Sequence, residues 1–477
     1  MTLPGCKNYS DDDDIPPPEP NPENPAAAVN QFIVDGMDLY YLWNEEAMQV
    51  AQKIDPEMET DSWDLFDRLV YADDRWSTLT DDAEEMQSGF SGSGTSFGYS
   101  LAVYLFSNST YNCYAVVEFV YPDSPAEKAG LKRGDIILTI DESNLTIDNY
   151  TKLYNASYIY LGFGEMEGNE IHYGLRRVSL TATSMYLDPI FEYKVIEKDE
   201  HKIGYLLYTD YLIASHTKLQ DVFGDFRDAG VTDIVLDLRY NPGGYALTSQ
   251  FLSSILAPKA VVDAGKVFTT QVWNKNFMTL FNSNLKTYYS QMYTDFSYDY
   301  RYTYEGETVN ETISSNMDLS RVYILTGQGT ASASESTIVG LQPYMDVVLI
   351  GEPTSGKYCG GILLDPYDVY TGKVSQELDN WGMYVMVYRF ANCEGKTNFV
   401  DGFAPDYSVG DDYSAELGSE EEPMLAKALA LITGDESRSV SRTAAPDRMD
   451  RLPGAISRPS AAGGGMIDLR PAPFTGQ

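Results

Sequence analysis

The order of apolar and polar positions divides the chain into stretches of different period. From Val29 onward, "VNQFIVDGMDLYYLWNEEAM" spaces Phe32, Met37, Tyr40, Leu42 and Met48 at loosely helical intervals, and "DSWDLFDRLV" repeats the trend. This predicts a small helical domain over 29–88. "SGFSGSGTS" (88–96) has the composition of a Gly/Ser linker. Over 97–187, "FGYSLAVYL" and "CYAVVEFV" read as strands of a β-rich domain. From 190 to 434 short apolar runs alternate with helical stretches. "DIVLDL" (233–238), "VYILTG" (322–327) and "VVLIG" (347–351) suit buried parallel strands. "YALTSQFLSSIL" puts Leu247, Phe251, Leu252, Ile255 and Leu256 on one helical face, and "TASASESTIVGLQ" opens a helix that Pro343 stops. The pattern is α/β with βαβ units, in a multidomain chain. Residues 262–320 are Tyr-rich and polar and read as an insertion.

The two ends differ from this. Residues 1–28, with "SDDDDIPPPEPNPENP", and the Arg/Pro/Gly-rich residues 435–477 hold too few apolar side chains for a core and are expected to be a disordered tether and tail. The 477 residues, 43% hydrophobic, suffice for two or three domains. A net charge of −38 argues against electrostatic binding of nucleic acid or an anionic membrane surface. The three histidines, His172, His201 and His216, sit in no motif, so no metal site is expected. The four cysteines form no C-x-x-C; Cys359 and Cys393 are either a disulfide of an exported protein or buried thiols. No apolar run is long enough to span a membrane, and no signal-peptide core is present.

"GEPTSGKY" nearly matches a phosphate-cradling loop, with Gly351, Gly356 and Lys357 in place. Tyr358 supplies no Mg²⁺-binding hydroxyl, and the following "CGGILLDPYD" reads as loop and strand instead of helix. Lys357 therefore needs another partner, and no cofactor is expected. Strand 322–327, the helix after it and strand 347–351 form a βαβ unit whose strands should be parallel neighbours with a right-handed crossover. Their C-terminal ends share one sheet edge, which brings "GTASAS" and "EPTSGK" together; "NPGG" arrives there too if strand 233–238 is parallel. A serine needs a base, and a lysine can serve if burial lowers its pKa. A helix N-terminus favours an oxyanion. These parts suffice for acyl transfer.

Several motifs resemble known families. "DSPAEKAGLKRGDIILTID" (123–141) resembles the PDZ domain of protease-linked kind: Ser124 caps a short helix, Gly130 ends it and Gly134–Asp135 turns into a strand. The resemblance implies a loop at Phe97, Gly98, Tyr99 and Leu101 that captures a peptide's C-terminal carboxylate. "DLRYNPGG", "GTASASE", "GEPTSGK" and "GFAPDYSV" (402–409), in this order behind a PDZ domain, resemble the tail-specific or carboxyl-terminal processing proteases. That family implies a crotonase- or Clp-like sandwich and a Ser-Lys dyad whose serine lies twenty-five residues before the lysine, which is Ser332 before Lys357. It implies oxyanion donation by the backbone N–H groups of Gly244 and Ala333. Pro343 stands where some members have an aspartate, and Gly361 where many have a glutamine that orients the lysine. Leu3, Gly5 and Cys6 resemble a bacterial lipobox, and Asp11–Asp14 the surface-export signal of Bacteroidetes lipoproteins. This implies lipidation at Cys6 of an exported, cell-envelope protein whose signal peptide has been removed; otherwise the segment is a disordered acidic leader. The leading reading is an exported serine endopeptidase whose PDZ domain recognises the C-terminal tails of polypeptide substrates. The alternative is a catalytically silent surface lipoprotein that binds peptides.

Overall fold

The computed structural model describes residues 24–107, 109–167, 170–285, 291–364, 378, 380–435, 451–452 and 467. The expected lipidation at Cys6 lies outside these residues, as does most of the expected tail. The sheet that carries the α/β region has six strands in the order Ile190–Lys198, His201–Tyr208, Asp233–Asp237, Arg321–Thr326, Asp346–Gly351 and Tyr407–Ser408. From the second strand on, all neighbours are parallel. The alternation of side chains along each strand decides the two faces. Ile234, Leu236, Val322 and Ile324 enter one core with the helices Ala246–Leu256 and Ala333–Leu341. Val235, Tyr323, Leu325 and Ile350 enter another, under the helix Pro423–Thr433. Both faces are buried, which is why these strands read as near-continuous apolar runs.

A second sheet lies beyond the helix Ala333–Leu341. Its long strand Gly382–Ala391 pairs with Thr78–Thr80, with Cys359–Leu364 and with Val267–Trp273. Two readings change here. Residues 262–320, read as an insertion, contribute to the core: Val267–Trp273 is a ladder strand whose Phe268 is buried there. Polar, Tyr-rich composition hid a strand whose Phe268, Thr269, Thr270 and Gln271 are all buried. The region around 88–96 is not a free linker either. Ser93–Ser96 pairs with Thr183–Tyr186, so main-chain bonds order a segment that has few side chains to bury.

The helices Ala27–Leu39, Asn44–Ala51 and Ser62–Leu69 share the α/β region's core and do not close one of their own. The PDZ-like region is a separate unit. Strands Tyr99–Leu105, Cys113–Val120, Ile136–Ile140, Tyr158–Glu167 and Glu170–Thr181 lie side by side with Tyr99–Leu105 at the edge. Ser124 Oγ accepts from the Glu127 N–H at 3.1 Å, capping the short helix Pro125–Lys128, and Gly130 (φ 75°) follows it, as the sequence predicts. Arg133 in the next turn crosses to the α/β region. Its guanidinium donates to the Asp411 carboxylate at 2.6 Å and to the Tyr240 hydroxyl at 2.5 Å.

Candidate active site

The strands ending at Asp237, Thr326 and Gly351 deliver three loops to one edge. The middle loop turns at Ser332, which holds φ 62° and ψ −109° immediately before the helix Ala333–Leu341. A non-glycine residue in this region is strained. The strain sets the side chain at the head of a buried helix, where Ser332 is fully covered; its Oγ faces the Glu335 N–H in a capping-box arrangement but makes no hydrogen bond of ordinary geometry among the described residues.

The first loop, "NPGG", lies against it. Gly243 (φ 114°) leaves so little room that an added Cβ would sit 2.8 Å from Ser332 Cβ and 3.0 Å from the Ala333 nitrogen. Gly244 (φ 129°) is hemmed in by the Tyr211 backbone, with an added Cβ 2.5 Å from its carbonyl oxygen. Only glycine fits at either position. Asn241 fixes this loop: its Nδ2 donates to the Tyr208 carbonyl at 2.9 Å, its Oδ1 accepts from Gly243, and its carbonyl accepts from the Ala331 N–H and the Ser334 hydroxyl. Ser334 is thus a bonded neighbour of the turn.

The third loop carries Lys357. A buried carboxylate joins it to the serine: Glu335 accepts from the Ser332 N–H at 2.9 Å, the Lys357 N–H at 2.8 Å, the Gly356 N–H at 2.7 Å and the Thr354 hydroxyl at 2.6 Å. One oxygen, Oε2, receives both the serine and the lysine backbone. Burial pushes Glu335 up to about 7, against four hydrogen bonds that favour the ionised form. Sequence reasoning gave Glu335 no role, although "SASE" carries the S-x-x-E pattern of a helix start.

Lys357 is wholly buried and its Nζ, like Ser332 Oγ, has no hydrogen-bond partner among the described residues. Its ammonium lies 5.4 Å from the Tyr384 ring centre and 5.6 Å from that of Trp76. Burial lowers its pKa to about 8; Cys359, Asp74 and Glu335 pull the other way. From the strand Gly382–Ala391, Tyr384 turns an aromatic face toward the lysine. Gly361 and Tyr384 are coupled: an added Cβ at Gly361 would meet the Tyr384 ring at 2.7 Å, so the ring fills the space a side chain at 361 would need. Trp76 and Asp74 come from the N-terminal region, more than 250 positions before the lysine, and no local motif announces them.

The other candidates lie elsewhere. Cys113, Cys359 and Cys393 are free thiols, so the Cys359–Cys393 disulfide is not formed. His216 is a core residue, stacked on Phe251 and bonded to Glu311 and Thr248. Phe97, Tyr99 and Leu101 are buried in the PDZ core, and the Gly98 N–H donates to Ser96 Oγ at 3.0 Å. After Lys357 comes the strand Cys359–Leu364, with no helix to face a phosphate. Among the described residues no helix is long and apolar enough to cross a membrane.

Comparison with known proteins agrees with this layout. Peptidase family S41 matches residues 202–409, its N-terminal domain residues 28–78, and a PDZ domain residues 116–154. A carboxyl-terminal-processing protease of Picosynechococcus is 24% identical over 66% of this chain and 66% of its own length. Carboxyl-terminal-processing peptidase 2, chloroplastic, of Arabidopsis thaliana is 26% identical over 72% of this chain and 59% of its own. The chain thus spans about two thirds of the length of the curated relatives it matches. A crystal structure assigned to the S41 proteases, from Bacteroides fragilis, superposes with a TM-score of 0.63 at 25% identity, covering 84% of this chain and 97% of that one. The photosystem II D1 C-terminal processing protease shares the fold, with a TM-score of 0.51 at 18% identity over 84% and 98% of the two chains. The chain, with its N-terminal, PDZ and catalytic domains in this order, belongs to peptidase family S41.

Proposed function

We propose that the protein is an exported serine endopeptidase of carboxyl-terminal-processing type, with Ser332 as nucleophile and Lys357 as general base. The observation that carries the reading is the pair of buried, unpartnered groups, Ser332 Oγ and Lys357 Nζ, on loops clamped by one carboxylate. Leaving two polar groups buried without partners costs about 1–3 kcal/mol each, and a fold retains such groups where chemistry uses them. With its pKa lowered to about 8, Lys357 has a neutral fraction at physiological pH and can accept the serine proton. The hydroxyl oxygen then attacks the scissile carbonyl carbon, and the developing oxyanion is received by the Ala333 and Gly244 N–H groups. Protonated Lys357 returns the proton to the leaving amine. Water repeats the sequence on the acyl-enzyme and frees the acid. Neither N–H donates a hydrogen bond to any described residue, which leaves both available.

The polypeptide substrates are unfolded or tail-exposed chains, recognised through the PDZ region. Anchoring at Cys6 would hold the enzyme at the cell envelope. The deciding experiment is incubation with an unfolded protein, wild type against Ser332→Ala; equal cleavage by both refutes the assignment. A second reading, a silent peptide-binding lipoprotein, draws on the missing Ser332–Lys357 hydrogen bond and the absent glutamine at Gly361. It predicts no cleavage by either protein.

A further inference from the structure

The residue Ile467, far beyond the catalytic domain in sequence, lies in the cleft beside the site. Its N–H donates to the Gly244 carbonyl at 3.0 Å, and its carbonyl accepts from the Ala246 N–H at 3.0 Å. It bridges in parallel to Tyr245 on one side and to Gly361 on the other. One residue thus joins the loop that carries the oxyanion glycine to the strand that follows the lysine, as an inserted strand does. Its side chain is 4% exposed, in a pocket of Phe90, Ile213, Tyr245, Cys359, Tyr384 and Met386. Tyr384 also forms a wall of the Lys357 pocket.

The same tail touches the PDZ edge. The Leu452 N–H donates to the Val103 carbonyl at 2.8 Å, and Arg451 bridges antiparallel to Tyr104. The Arg451 guanidinium donates to Glu118 Oε1 at 3.0 Å, while Ser100 Oγ donates to Glu118 Oε2 at 2.7 Å. Glu118 is wholly buried, and an unpaired carboxylate there would be costly.

We infer that the cleft between Gly244–Ala246 and Gly361 is a strand-receiving channel for an extended peptide with a bulky aliphatic side chain, and that the chain's own tail occupies it in cis through Ile467. This rests on the peptidase reading for its consequence, competition between tail and substrate, but not for the binding itself. The main-chain bonds accept any sequence without proline at the bonded position. The pocket supplies the selectivity: it is apolar, closed, and offers a carboxylate or ammonium no counter-charge among its lining residues. Arg451 and Leu452 hold the tail on the PDZ edge. The tail therefore stays close when Ile467 leaves the cleft, and an external peptide meets a high local concentration of competitor.

The test separates binding from turnover. In the Ser332→Ala protein, fluorescence anisotropy follows a labelled peptide of residues 462–471, with the tail intact and with Ile467→Asp. A tail that occupies the channel leaves the intact protein a weak binder, and Ile467→Asp tightens binding at least about tenfold. The same peptide with aspartate at the isoleucine position should not bind either protein. Equal affinity with and without Ile467→Asp overturns the inference, as does a large fall in Tm with no gain in binding, which would mark the tail as a structural part of the fold. Ile467→Ala, a milder change, gives the same reading with a smaller gain if the aspartate variant fails to fold. With Ser332 present, Ile467→Asp should raise kcat/KM for a short peptide through KM, at constant kcat. Tighter binding without any turnover would leave the channel standing and refute the peptidase instead.

Discussion

Arg239 and Lys357 are both buried in the catalytic domain, and they are held in opposite ways. Arg239 is 1% exposed and meets carboxylates on all sides: Asp237 at 2.9 and 3.0 Å, Glu422 at 2.8 Å twice, and Asp411 at 3.1 Å. Burial would lower its pKa, but these partners outweigh burial and raise it. Lys357 is no more exposed, yet it has aromatic faces and no hydrogen-bonded counter-ion among the described residues, and its pKa falls. The two sites lie on the same sheet edge, after strands separated by Arg321–Thr326. The difference teaches which burial is structural and which is chemical. A satisfied charge tethers loops: Arg239 joins the end of strand Asp233–Asp237 to the start of helix Pro423–Thr433, and Asp411 passes the link to Arg133 of the PDZ region. An unsatisfied charge is poised to lose its proton.

The largest effect should come from the poised site. Ser332→Ala is expected to lower peptide cleavage by roughly a thousandfold or more, as removal of a nucleophile does. Ser334→Ala loses a bond to the Asn241 carbonyl and an interaction with the Tyr211 hydroxyl, and should stay within about tenfold of wild type, the size of a modest positioning defect. Lys357→Arg should match Ser332→Ala, because arginine keeps the charge but stays protonated. Gel assays with an unfolded substrate read all three, and an active Lys357→Arg protein would make the lysine electrostatic instead of basic.

The tether should break differently. Arg239→Met leaves Asp237 and Glu422 buried beside each other without their shared cation. Breaking a buried pair in this way typically costs about 3–5 kcal/mol. The expected result is a fall in stability in urea titration, seen equally in the Ser332→Ala background. A stability change below about 1 kcal/mol, the size expected of an exposed ion pair, would mean that the network is hydrated and the contrast with Lys357 is false.

Much of this was legible in the sequence, for reasons that differ by residue. The strands 233–238, 322–327 and 347–351 announce themselves because both faces are buried, and the βαβ rule then brings Ser332 to Lys357. "NPGG" is readable because two consecutive positive φ values near a packed serine admit only glycine. Glu335 stood in plain view within "SASE", but a helix-start pattern does not reveal that the carboxylate also receives a second loop. Trp76, Tyr384 and Ile467 were invisible. They reach the site through tertiary packing, and nothing in "DRWS", "GMYV" or "GMID" fixes what they will touch. Residues 262–320 misled because the half-polar strand Val267–Trp273 resembles loop: the partner that buries it in the second sheet, Gly382–Ala391, is over a hundred residues away, and only the short Met292–Asp295 pairs with it locally.

Glu335 lies between the two cations in character, a buried charge that is bonded but not ion-paired. All four of its partners are donors, so Glu335→Gln must turn an amide N–H₂ toward N–H groups and release one loop. Peptide turnover should drop about a hundredfold, the size of a small misplacement of catalytic groups. The effect should fall on kcat more than KM, since no substrate contact is lost. Glu335→Asp, which keeps the acceptors but shortens the reach, should recover part of the rate. An equal loss in both variants accompanied by a large fall in Tm would make Glu335 a folding residue only.

The sharpest test of the contrast uses stability instead of activity. A lysine whose folded pKa is about 8 disfavours the charged form in the native state, since its unfolded value is near 10.4. Below pH 8 both states carry the proton, and the native state bears the full penalty. Between pH 8 and about 10.4 the native lysine is already neutral while the unfolded chain still binds the proton, so stability rises with pH. A shift of this size corresponds to an upper bound of about 3 kcal/mol. Lys357→Met keeps the apolar stem against Trp76 and Tyr384 and removes the penalty. Allowing for imperfect packing, it should stabilise the protein by about 1–2 kcal/mol at pH 7, and the advantage should vanish near pH 10. Urea titration of wild type and Lys357→Met at both pH values reads this directly. Arg239→Met should show no such pH-dependent gain, because its charge is matched in the fold. If Lys357→Met were instead destabilising at pH 7, the lysine would have a counter-ion in solution, and the two buried cations would be of one kind.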